Sequence, residues 1–104
     1  MTPSIRRKLE QLAERHQELE RHLASAELAA DAKRLREVSR EHAQLGPLVE
    51  TLKAFDSNTR ELAAARAMLA DPEMAELARE EIAGLEALAT ELEGKLNLLL
   101  LPTD

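Results

Sequence analysis

The stretch Ile5-Arg6-Arg7-Lys8-Leu9-Glu10-Gln11-Leu12-Ala13-Glu14-Arg15-His16-Gln17-Glu18-Leu19-Glu20-Arg21-His22-Leu23 decides the fold class. Ile5, Leu9, Leu12, His16, Leu19 and Leu23 fall at alternating spacings of four and three, which draws one narrow apolar stripe down a long helix. Thr2 offers a capping hydroxyl, and Pro3 takes the first helical position, where its missing N–H costs nothing. This helix is expected to run to about Ala24. Ser25 to Ala30 is short, polar and small, and reads as a connection.

Working outward, Asp31 is a good N-cap for a second helix with the stripe Leu35, Val38, His42, Leu45, Val49, Leu52 and Phe55, continued by Leu62 and Leu69. Gly46 and Pro47 interrupt it, since an interior proline removes a backbone donor and costs about 3 kcal/mol. The stripe keeps its phase across them, which predicts one helix from 32 to about 70, kinked near Gly46-Pro47. Asp71-Pro72-Glu73 supplies a cap, a proline and a carboxylate suited to a helix start. A third helix follows through Met74, Leu77, Leu85, Leu88, Leu92, Leu96 and Leu99, with alanines flanking the leucines. No hairpin dipeptide or alternating β-branched run appears. The expected fold is all-α: three long amphipathic helices in an antiparallel coiled-coil-like bundle over 1–97, with 98–104 a linker or the start of a strand toward a second domain.

Composition narrows the function. At 104 residues the chain is one small domain's worth, stabilised by leucine seams. It has no cysteine, hence no disulfide or thiolate site, in keeping with a reducing compartment. Arg6, Arg7 and Lys8 are not followed by a signal-type apolar segment, and Leu98 to Leu101 is too short to span a bilayer. The expectation is a cytoplasmic protein with no membrane contact. Twenty acidic residues against fourteen Lys and Arg leave a net charge of −6, which repels a phosphate backbone at long range. Lys33, Arg36 and Arg40 share a helix face, but Glu37 and Glu41 are interleaved and the face reads as solvated.

The parts of an active site are missing. His16 and His42 occupy seam positions, His22 lies on another face, and none has a glutamate three residues before it, so they read as packing residues rather than ligands. Glu10, Glu14 and Glu18, like Glu73, Glu76 and Glu80, lack a desolvated cleft that would separate their acidities. Gly46, Gly84 and Gly94 form no phosphate loop, Ser4, Ser25, Ser39 and Ser57 lack a nucleophile elbow, and the single aromatic, Phe55, makes no stacking platform. No catalytic, cofactor-binding or metal-binding residue is assigned, no cofactor is expected, and no face is singled out for partners.

Several stretches carry a resemblance that spans the chain. Pro3-Ser4-Ile5, Lys8-Leu9-Glu10 and Glu14-Arg15-His16 come first, then Arg36-Glu37-Val38-Ser39-Arg40-Glu41-His42-Ala43-Gln44-Leu45. Met68-Leu69 with Asp71-Pro72-Glu73-Met74 follows, and then Leu98-Leu99-Leu100-Leu101-Pro102 with Asp104. In order and spacing these resemble the N-terminal helical domain of the bacterial class I peptide chain release factors, the factor 1 branch rather than its sister. The resemblance implies a complete factor that reads UAA or UAG through a recognition loop and hydrolyses peptidyl-tRNA with a Gly-Gly-Gln loop. Neither loop occurs in these 104 residues. The resemblance further implies a non-catalytic module near the ribosomal stalk base, communicating with the GTPase release factor, in a monomeric chain. The departure from the family's pattern is Gly46-Pro47. A free-standing helical adaptor or coiled-coil oligomer is the alternative.

Overall fold

A computed structural model describes residues 1–102. Four α-helices follow in order: α1 (Pro3–Leu23), α2 (Ala26–Ala29), α3 (Ala32–Met68) and α4 (Ala75–Leu99). No strand occurs among the described residues. By packing the chain divides into two units, Met1–Glu50 and Thr51–Asp104.

In the first unit the expected caps are in place. Thr2 Oγ1 accepts from the Ile5 N–H at 3.2 Å, with Pro3 at the head of α1, and Asp31 Oδ1 accepts from the Arg34 N–H at 3.1 Å at the head of α3. Each satisfies a donor that the first turn of a helix leaves without a partner. The connection between α1 and α3 is more than a loop. Ser25 Oγ accepts from the Leu28 N–H and caps the single turn α2, which buries Leu28. One turn holding one buried leucine has no periodicity, so three expected helices become four. Leu9 and Leu19 of α1 are sealed at 0% and 1% exposure, and Leu48 and Val49 are the buried apolar residues that the first half of α3 contributes. Each such side chain contributes roughly 1.5–3 kcal/mol by leaving water.

The helix α3 runs unbroken through Gly46 and Pro47, as the conserved phase of its stripe requires. A β-carbon placed on Gly46 or Gly84 meets no described atom within 4 Å outside the local helix, so neither glycine admits a close neighbour. Gly84→Ala is therefore expected to stabilise the fold by about 0.5–1 kcal/mol, read as a higher urea midpoint at unchanged slope.

In the second unit the stripe of α3 continues through Thr51, Phe55, Asn58, Leu62 and Ala65, all buried except the half-buried Phe55. The helix α4 answers with Ala75, Ala78, Ile82, Leu85, Ala89, Leu92, Leu96 and Leu99, another unbroken series of threes and fours. This corrects two expected core positions. Leu77 and Leu88 are 55% and 41% exposed, because Ala78 and Ala89, one position later, hold the seam. Leu69, beyond the end of α3, is exposed as well.

The start signal at Asp71-Pro72-Glu73 also acts differently from expectation. Asp71 Oδ1 accepts from the Glu73 N–H and the Asp71 carbonyl from the Met74 N–H, both at 3.0 Å, which closes a turn around Pro72. The helix α4 begins only at Ala75, with Met74 in the cap position and no side-chain cap. At the other end α4 runs to Leu99 and is capped by Leu100. Leu98 and Leu99, expected to open a linker or strand, are the last helical residues; the end of that segment, 103–104, lies outside the described residues.

Candidate functional site

The polar side chains that tie the first unit together lie on α1 and the early part of α3. Residues four apart on a helix share a face, so His16 and Glu20 stand one turn apart on α1. His42 reaches them from α3. Its ring stacks on that of His16 with centroids 4.2 Å apart and planes 19° from parallel. His42 Nε2 lies 3.2 Å from Glu20 Oε1, and His16 Nδ1 lies 3.8 Å from the same oxygen. One carboxylate oxygen thus faces two imidazoles. The side chain of His16 is 12% exposed and that of His42 28% exposed, so both histidines do pack in the seam, as their spacing requires. His22 is elsewhere, paired with Glu18 at 3.9 Å on an exposed face.

Beside the stack, Arg15 and Glu41 form a two-pronged ion pair. Arg15 Nε donates to Glu41 Oε2 at 2.7 Å, and Nη2 donates to Oε1 at 3.0 Å. This planar match of guanidinium to carboxylate is the strongest form of the contact. The hydrogen bonds from Arg15 hold the Glu41 carboxyl below its ordinary range, and the same bonds hold the Arg15 guanidinium more firmly protonated. Because the folded value of Glu41 is lowered, its contribution to stability is present above the ordinary carboxylate range. It is lost as the pH falls through the folded value.

Elsewhere many of the charged groups are solvated. Lys33, Arg36 and Arg40 are exposed, as are Glu10, Glu14, Glu18, Glu73, Glu76 and Glu80. Where α1, α2 and α3 meet, an open dimple is lined by His22, Ser25, Glu27, Leu28, Asp31 and Arg34. In the second unit Asn58, 1% exposed, donates from Nδ2 to the Leu85 carbonyl at 3.0 Å. Arg66 meets Glu86 at 3.3 Å, so both contacts join α3 to α4. Sequence reasoning passed over Glu20 and Asn58, and read Glu41 only as a charge interleaved on a solvated face. For Asn58 a signal existed, since it completes the spacing between Phe55 and Leu62; for the two glutamates it did not, since their partners lie on another helix.

Comparison with known proteins bears on this arrangement. The family model of the PCRF domain matches residues 12–104. This chain belongs to the PCRF domain family. The matched part of this PCRF domain contains the His16, Glu20 and His42 group, the Arg15–Glu41 pair and Asn58, and leaves out residues 1–11, the cap and first turns of α1. The chain is 48% identical over all 104 residues to peptide chain release factor 1 of Xylella fastidiosa (strain 9a5c), and spans 29% of that protein's length. No solved structure matches it. No helix among the described residues is long and apolar enough to cross a membrane.

Proposed function

We propose that this chain is the N-terminal, non-catalytic module of a cytoplasmic translation termination factor. The observation that carries the reading is the 48% identity to peptide chain release factor 1 over the whole of this chain, joined to the PCRF domain match. In this reading stop-codon recognition at UAA and UAG and peptidyl-tRNA hydrolysis belong to other domains of the factor. The module's work is binding: it meets the ribosome near the stalk base and communicates with the GTPase release factor. Solvated faces of mixed charge suit such contacts, since complementary charge sets orientation and encounter rate more than affinity. In this reading the segment after α4 leads toward the next domain.

The test is co-sedimentation of the chain with ribosomes and capture of the purified GTPase release factor, repeated with charge reversals on each helix face. Binding to at least one of them, weakened by reversals on one face, is expected. Retention of neither would overturn the reading. The exposed Leu77, Leu88 and Leu98 favour a second reading, in which α4 meets other copies of the chain. Sedimentation velocity at micromolar concentration separates the two, and a monomer is expected.

A further inference from the structure

We propose that His16, Glu20 and His42 form a binding site for a divalent transition cation of the zinc class. Zinc takes imidazole nitrogen at about 2.0–2.1 Å and carboxylate oxygen at about 2.0–2.2 Å, and bonds of that length set tetrahedral ligand atoms roughly 3.3 Å apart. Here His42 Nε2 and Glu20 Oε1 are already 3.2 Å apart, His16 Nδ1 is 3.8 Å from that oxygen, and one donor atom from each residue lies within 4.8 Å of the others. Closing the set takes movements of about an ångström, within reach of side-chain torsions alone.

Three features favour a cation here over an ordinary surface cluster. Two donors stand one turn apart on one helix, the same offset that lets the two histidines of a His-Glu-x-x-His helix share one zinc. The third comes from a different helix, so the cation would clip α1 to α3 within the first unit. Glu41, next in sequence to His42, is held by Arg15 through two hydrogen bonds, which cancels the charge of Arg15, and water would supply the fourth ligand. Two imidazoles select zinc, nickel, copper or cobalt over magnesium or calcium, which prefer all-oxygen sets.

One rearrangement is required. A metal bonds in the plane of an imidazole, whereas the two rings lie face to face at 4.2 Å. One ring has to turn about its terminal torsion, which is a soft coordinate. His42, the more exposed of the two, is the ring that turns, while His16 stays fixed in the seam. The exposed Glu20 leaves the site open to solvent on the entry side.

The experiment is calorimetric titration of the tag-free 104-residue chain with zinc chloride. One equivalent is expected to bind with a raised melting temperature, and a hundredfold excess of magnesium is expected to leave binding unchanged. Glu20→Gln and His42→Ala should each weaken binding at least about tenfold, the size of loss that even outer-shell changes produce. His22→Ala should leave it intact. Glu20 is exposed, so the Glu20→Gln variant folds as the parent does, and circular dichroism checks each variant. The absence of binding, binding unchanged in Glu20→Gln, or equal loss in His22→Ala would overturn the proposal.

Discussion

Leu9→Ala in α1 and Leu96→Ala in α4 are each expected to lower the free energy of unfolding by about 2–5 kcal/mol. Both side chains are fully enclosed at 0% exposure, so truncation removes the transfer energy of three carbons and leaves a void that neighbouring helix backbones cannot fill. A small domain holds about 5–15 kcal/mol in total, so either change consumes a large part of its stability. Urea unfolding followed by far-ultraviolet circular dichroism reads the effect. The comparison that gives it meaning is Leu77→Ala, at a position 55% exposed, expected to stay within about 0.5 kcal/mol of the parent. A reading by leucine count alone would rank Leu77 with Leu96; the observed seam separates them.

Asn58→Asp should be the most damaging single-atom change in the second unit, at about 3–5 kcal/mol near neutral pH. The wild-type amide donates from Nδ2 to the Leu85 carbonyl at a position 1% exposed. A carboxylate there loses the donor and sets a charge against the carbonyl oxygen with almost no solvent. Burial raises the folded pKa of the new carboxyl above its unfolded value of about 3.9. The sign follows: the penalty is absent below the unfolded value, grows as the pH rises toward the raised folded value, and is complete above it. Once protonated, the acid can donate to the Leu85 carbonyl again. Chemical denaturation of the variant and the parent at pH 4 and pH 7 is expected to show the gap narrowing on acidification. Asn58→Leu, which removes both polar atoms, should cost less than the aspartate at pH 7.

The helical class and the caps at Thr2 and Asp31 were legible because they depend on residues three or four positions apart, within one turn. The continuity of α3 through Pro47 was legible for a related reason, since a stripe keeps its phase only if the helix persists. What escaped was decided between helices. In α4 a small residue in the seam and a large one beside it look reversed to any reading that ranks side chains by apolarity, so Ala78 and Ala89 read as flanking a seam that Leu77 and Leu88 were expected to form. Asp71 had the right composition for a cap, but its oxygen is taken by the Glu73 N–H in a tight turn, and the helix waits until Ala75. The histidines were placed correctly in the seam as single residues. Their meeting depends on the register between α1 and α3, as does the arrival of Glu20 beside them, and no spacing within either helix records it.

We propose that this chain binds and communicates within a termination factor while the chemistry happens elsewhere. The direct measurement replaces the matching stretch of the Xylella fastidiosa release factor 1 with this chain, and in a second protein deletes that stretch. Peptide release at UAA and UAG and dissociation driven by the GTPase release factor are then followed separately. The chimera is expected to retain both steps, and the deletion to retain single-turnover release at saturating factor but lose the GTPase-driven dissociation. Loss of single-turnover release with ribosome binding intact, or a deletion that responds to the GTPase as the parent does, would contradict the proposal.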